Sequence, residues 1–259
     1  MVSKGWLSTA LGVAFFVSPQ IGEALAADFG QGTDSYLYAR QPLAQAYVDV
    51  AGGIWNAAGS SYGTIGASGA ANIPVTGGWN IAPELSVVSV FTSGVGTSVT
   101  GVLHGYYRDP QSHALGVYAG GVGSSANGGA LAVGLDGLLY MQRTTLYAQA
   151  GYFSGSTVGQ GGQVVGTARF FPFDNTKIEG SLGYAASNAG MSVLGVSASA
   201  EQRFEATPFS AFLSGTYLAS SASAGNQGIV LMGARMYFNN ESLFQNDREG
   251  VTTDFVKLF

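Results

Sequence analysis

Few residues in this sequence could do chemistry, and they are scattered. His104 is the only histidine inside a β-prone segment, where Thr100 and Tyr106 share its side of the alternation. A serine–histidine pair on a lipid-facing wall would suit a membrane phospholipase. His104, however, has inward parity, and the sequence places no carboxylate beside it. It reads as a structural or lumen-lining histidine. His113 falls in a turn and reads as solvated. Gly120-Gly121-Val122-Gly123-Ser124-Ser125 imitates a phosphate loop, yet no Gly-Lys-Ser/Thr follows it and it opens no helix. With no cysteine in the chain, a thiolate metal site and a disulfide scaffold are both excluded. No other spacing suits a nucleophile with its base or a set of metal ligands. The expectation is a non-enzyme with no catalytic residue, metal or cofactor. A net charge of −5 also speaks against nucleic acid as a partner.

The charged residues are more informative. Asp49, Asp136, Arg169, Lys177, Glu179, Glu201, Arg203 and Arg235 all fall within β-prone segments, on the side away from the apolar residues. Four are acidic and four basic. On a lipid-facing wall near the bilayer midplane each would cost roughly 2–4 kcal/mol, so a membrane sheet requires this parity. These eight are expected to form a mixed ion-pair network that narrows the periplasmic end of a lumen. The alternative is a network that only neutralises its own charges and holds the wall closed.

The elements that would position them are strands. Segments of about ten residues near 46–55, 65–75, 80–91, 98–107, 114–123, 130–140, 144–154, 163–171, 176–186, 191–204, 209–219 and 228–238 are separated by turn-rich breaks. In 176–186, Ile178, Leu182 and Tyr184 oppose Lys177, Glu179 and Ser181, and in 228–238 Val230, Met232, Ala234 and Met236 oppose Gly233 and Arg235. A soluble β-sandwich would alternate in the same way, so alternation alone does not place the sheet in lipid.

Composition and the breaks favour a barrel. Only 10% of residues are charged, against about 25% in a soluble protein. Yet after residue 26 no apolar run approaches the roughly 20 residues of a membrane helix. The breaks come in two classes that take turns along the chain. Asn56 to Ser61, Ser93 to Gly96, Ser124 to Gly129, Ser154 to Gly162, Ser187 to Gly190 and Ser220 to Asn226 are small and uncharged. Gly77 to Glu84, Arg108-Asp109-Pro110, Gln142-Arg143, Pro172 to Asn175 and Glu205 to Pro208 carry turn formers and charge. An up-and-down barrel sorts its connections in this way, with short periplasmic turns and looser external loops. Aromatic residues gather at both strand ends as two interfacial belts: Tyr107, Tyr140, Phe170, Phe171, Phe173, Phe204, Phe209, Tyr237 and Phe238 at one, and Trp55, Phe91, Tyr152, Phe153, Tyr184 and Tyr217 at the other. The fold class read from these features is all-β: an up-and-down antiparallel transmembrane β-barrel of about 12 strands.

The ends complete the organisation. Lys4, the apolar stretch Trp6 to Val17 and the small residues Ala24-Leu25-Ala26 read as a cleaved signal peptide over 1–26. Residues 27–45 are expected as a periplasmic segment, 46–238 as the barrel and 239–259 as a periplasmic tail. The expected partners are outer-membrane lipid and lipopolysaccharide, the barrel-assembly machinery and a small solute.

The stretch from Ile73 to Phe238 resembles the small outer-membrane β-barrel proteins of α-proteobacteria. The likeness is carried by Pro74-Val75-Thr76-Gly77-Gly78-Trp79-Asn80, Tyr107-Arg108-Asp109-Pro110, Thr145-Leu146-Tyr147-Ala148-Gln149-Ala150-Gly151-Tyr152 and Gly233-Ala234-Arg235-Met236-Tyr237-Phe238. It implies an outer-membrane location and passive transport or an envelope role, and it supplies no catalytic residues. Many such barrels end their last strand at a C-terminal aromatic residue. Here Phe259 is terminal, but the last clear strand ends at Phe238. The function expected is a small porin-like channel for passive diffusion, with a closed barrel of structural or surface-interaction role as the alternative and a soluble secreted β-domain third.

Overall fold

The computed structural model describes residues 44–92, 95–125, 128–221 and 225–250. The expected signal peptide, residues 27–43 and residues 251–259 lie outside them. Twelve strands follow one another: β1 Gln45–Ala57, β2 Ser60–Thr76, β3 Trp79–Phe91, β4 Val95–Asp109, β5 His113–Ser124, β6 Gly128–Tyr140, β7 Thr144–Gly155, β8 Gly159–Phe173, β9 Thr176–Ser187, β10 Ser192–Arg203, β11 Phe209–Ser220 and β12 Gln227–Tyr237. Each pairs antiparallel with its neighbours in sequence, and β1 pairs with β12, so the sheet closes on itself. A closed sheet has no edge, which is the condition for placing strands in lipid.

The strands outrun the expected segments, mostly by one to five residues, because the connections are short. Those at the end nearest residue 44, hereafter the terminal end, have two to five residues, and those at the opposite, loop end have two to six. In length the two sides therefore differ little, where looser connections were expected on one of them. What looked like flexible loop, such as Ser60-Ser61 or Gly159 to Gly162, is paired strand. Three hairpins turn in two residues, and two of them, Ala58-Gly59 and Gly77-Gly78, have φ of 50°, 78°, 55° and 86°. Positive φ at both central residues matches the twist of the flanking strands, and glycine takes it without strain.

Alternation sorts the side chains between two faces. Val50, Ile54, Ile65, Leu85, Leu103, Leu115, Leu131, Leu135, Leu182, Val196, Leu213, Val230 and Met232 point outward and are exposed. A large uninterrupted apolar surface is foreign to a soluble monomer and suits hydrocarbon. Outward aromatics flank it: Trp79, Tyr107, Phe170, Phe173, Phe204, Phe209 and Phe238 at the terminal end, and Phe91, Tyr152, Tyr184 and Tyr217 at the loop end. Tyr140, Phe171, Tyr237, Trp55 and Phe153, expected in these belts, are instead buried inside.

After β12 the chain turns back and forms one short helix, α1, Leu243–Glu249. Ser242 caps it: its hydroxyl accepts from the Gln245 N–H while the Gln245 side chain accepts from the Ser242 N–H. Leu243 packs with the inward residues Phe171 and Tyr237, so the helix sits across the terminal mouth of the barrel.

Candidate lumen site

The interior is filled unevenly. Toward the loop end, Trp55, Val88 and Val90 form an apolar cluster, with Tyr62 and Ile229 packed against it. On the β4–β7 side Tyr118 lies beneath Phe153, and its hydroxyl accepts from the Gln163 amide at 3.0 Å. Tyr118 reaches β8 by crossing glycines of β6 and β7. A Cβ on Gly151 would stand 1.9 Å from the tyrosine oxygen, and one on Gly134 would stand 2.6 Å from it. The opposite wall carries small polar groups. Ser68, Ser197, Ser199, Ser214 and Thr216 point inward and are only half-buried.

The eight inward charges expected from the sequence all lie on the inner wall, and seven of them carry ion pairs. Arg235 is the hub of one cluster. It donates to Asp49 through Nε at 3.0 Å and Nη2 at 2.8 Å, and to Glu201 through Nη1 at 3.0 Å. Its guanidinium lies 4.2 Å from the Tyr47 ring and 5.4 Å from Phe212. Glu201 also takes Lys177 at 3.0 Å, the Ser210 hydroxyl at 2.6 Å and the Tyr237 hydroxyl at 2.7 Å, while Ser68 donates to Asp49. These contacts follow from register, because Asp49 pairs with Arg235 and Lys177 with Glu201.

Arg169 is the hub of a second cluster. Its cross-strand partners are Thr145 on β7 and Glu179 on β9. Nε donates to Glu179 at 2.7 Å, and Nη1 donates to Asp247 of α1 at 3.1 Å. The Thr145 hydroxyl donates to the other oxygen of the Asp247 carboxylate. Arg203 binds the returning chain by its main-chain oxygens, donating to Asn239 O at 2.5 Å and to Glu241 O.

Asp136 pairs with His104, sharing a hydrogen bond with Nδ1 at 2.7 Å, and Glu84 stands 3.7 Å from Nε2. The inward position expected for His104 holds, but the absence of a nearby carboxylate does not. The two side chains meet across β5 because Gly116 lies between them. A Cβ there would fall 2.7 Å from the Asp136 oxygen and 2.5 Å from Tyr106 Cβ. His113 is not a solvated turn residue. It begins β5, is half-buried, and shares a hydrogen bond with the Ser112 hydroxyl at 2.7 Å.

Three groups of the site were assigned to turns by sequence or were passed over. Glu84 and Arg108 belong to β3 and β4 and point inward. Arg108 donates to Tyr106 Oη at 2.9 Å, Tyr106 donates to Asn72 at 2.6 Å, and Asn72 donates to Glu249 O at 3.0 Å, a relay that joins the wall to the end of α1. The third is Asp247. Arg248 beside it donates to Met141 O in the β6–β7 turn and lies 4.7 Å from the Tyr140 ring. Burial pulls its guanidinium below the ordinary arginine pKa, opposed by the nearby Asp247 and Tyr140. Residues 239–250, the described part of the expected periplasmic tail, are thus fastened over the mouth.

No protein-family model and no curated protein matches the chain. Solved structures do. The KdgM porin in complex with disordered oligogalacturonate aligns over 73% of this chain and 98% of its own, with a TM-score of 0.51 and 11% identity. An outer membrane channel from Pseudomonas putida F1 aligns over 80% of this chain and 99% of its own, with a TM-score of 0.52 and 11% identity. At these identities the likeness is one of fold, and it extends over nearly the whole of each channel.

Proposed function

We propose that this chain is an outer-membrane channel for the passive passage of small solutes, with its terminal end in the periplasm. The observation that carries this reading is the split inner wall. Eight strands already give an interior that side chains can fill, and diameter grows with strand number. A barrel of 12 strands is wider, and a stretch of its wall around Ser197, Ser199, Ser214 and Thr216 bears small polar residues that remain half-buried. On this reading the clusters around Arg235 and Arg169 form the narrow end, where Lys177 and Arg235 keep partial exposure. The fold shared with outer-membrane channels supports the setting, and the hairpin motifs add an α-proteobacterial envelope to it. Connections of at most six residues leave little surface for an adhesive role. We read the chain as non-enzymatic, since His104 and Asp136 are both buried within the wall.

Planar-bilayer recording of the purified protein tests the proposal. Discrete conductance steps are expected, with ion selectivity altered by Arg235→Ala. A folded, heat-modifiable protein that never conducts would overturn it.

A further inference from the structure

We propose that Arg169 and Thr145 form a carboxylate-binding site in the terminal mouth of the lumen, and that the chain's own Asp247 fills it as a tethered blocker. The site itself stands on geometry; its use by a passing solute rests on the channel reading above.

Asp247 is held at both oxygens by the wall, Oδ1 by Arg169 Nη1 at 3.1 Å and Oδ2 by the Thr145 hydroxyl. The two wall groups are direct cross-strand partners on β7 and β8, and both are buried. Glu179 holds the guanidinium from its Nε side at 2.7 Å, and the Tyr147 ring lies 5.9 Å from it, so the Nη edge is fixed toward the mouth. A planar guanidinium edge next to a hydroxyl matches the two oxygens of a carboxylate better than a spherical anion.

The group that fills the site belongs to an element that depends on docking. Seven residues are too few for a helix to persist alone in water, so α1 exists because the mouth holds it. Its other polar ties include reversible hydrogen bonds, from Asn72 to Glu249 O, from Arg248 to Met141 O and from the Phe244 N–H to Asp174 O, and Arg203 donates to Glu241 O just ahead of it. Its apolar ties are Leu243 and Phe244, the latter edge-on to Phe171 at 5.5 Å. A solute carboxylate arriving down the lumen would compete with Asp247 for one site, and the helix would leave as the solute binds. The solute class assigned to the channel is therefore small organic carboxylates.

The test is chemical rescue in the full chain. Asp247→Ala removes both oxygens and leaves a carboxylate-sized space beside Arg169. The temperature at which the folded, fast-migrating form is lost on a gel should fall. Formate should restore it in a saturable manner, while chloride at equal ionic strength should not. In Asp247→Ala/Arg169→Ala the formate response should disappear. Equal effects of formate and chloride, or a formate response that survives loss of Arg169, would overturn the site. Should Asp247→Ala fail to assemble in plain buffer, refolding it in formate against chloride at equal ionic strength carries the same comparison. In bilayers, Asp247→Ala should conduct more than the parent chain, and formate should lower that conductance. Rescue by formate without conductance from either chain would leave the site standing and reject the channel. Conductance equal in both chains would reject the blocker.

Discussion

Arg235→Ala is the substitution that bears most directly on the narrow end. In the parent chain Arg235 is 15% exposed and Asp49 6%, with two hydrogen bonds between them. Without the guanidinium, Asp49 keeps the Ser68 hydroxyl, whereas Glu201 keeps Lys177, Ser210 and Tyr237. The damage therefore falls on Asp49. Breaking a buried pair from one side costs about 3–5 kcal/mol. The low end, about 3 kcal/mol, applies here because water reaches the exposed edge of the site. Loss of the guanidinium from the face of Tyr47 adds about 1 kcal/mol. A destabilisation of about 4 kcal/mol is expected, measured by urea titration in micelles followed by the fluorescence of Trp55 and Trp79. Neutralising the orphan with Asp49→Asn should return about 2 kcal/mol. A single variant within about 0.5 kcal/mol of the parent, or a double variant less stable than the single, would refute the reasoning. In bilayers the same substitution removes a cation from the narrow end, so the reversal potential should move toward cation selectivity.

Other perturbations separate the two faces of the wall. Leu135→Arg, at an exposed outward position near the middle of β6, should cost roughly 2–4 kcal/mol in a bilayer, read by the same titration in liposomes. Ser199→Arg on the inner wall should fold normally and lower single-channel conductance instead. Gly151→Ala would place a Cβ 1.9 Å from the Tyr118 oxygen and 2.7 Å from Val133 O, so a loss of about 1–3 kcal/mol is expected by urea titration. Gly166→Ala, where nothing lies within 4 Å, should be neutral.

Much of this architecture is legible in the sequence, because a barrel in lipid forces a period of two on every strand. Asp49, Arg169 and Arg235 declare the inner face by being intolerable on the outer one. The same parity was available for the aromatics. Trp55 shares it with Asp49, and Tyr237 with Arg235, so belt membership assigned by nearness to a strand end failed where parity would have succeeded. Contacts made across a strand are a different matter. His104 meets Asp136 over Gly116, and Tyr118 meets Gln163 over Gly134 and Gly151. Such contacts depend on register between three or four strands, which no local pattern states. The same difficulty hid the length of the strands, since Ser60-Ser61 and Gly159 to Gly162 are loop-like in composition and become strand only through their partners. For α1 a local signal did exist. Ser242 followed three residues later by Gln245 is a capping box, and it opens directly onto Leu243-Phe244.

The distribution of chemistry inside the barrel also argues for a mouth that opens. Buried ion pairs are a poor way to hold a wall together, since apolar side chains of similar volume often do as well or better. The chain uses that solution toward its loop end, where Trp55, Val88 and Val90 pack without charge. At the terminal end it uses guanidinium and carboxylate groups, and two of the guanidinium groups, on Arg169 and Arg203, bond to the returning C-terminal segment. An apolar joint would expose hydrocarbon to water each time it parted. A joint of charged and carbonyl groups exchanges one set of hydrogen bonds for another with water, so its parting costs far less than the bonds themselves are worth. The placement of Asp247 on Arg169 and of Asn239 O on Arg203 thus supplies the polar part of the joint that the proposed blocker requires. A permanent plug would have extended the Leu243–Phe171 contact in its place.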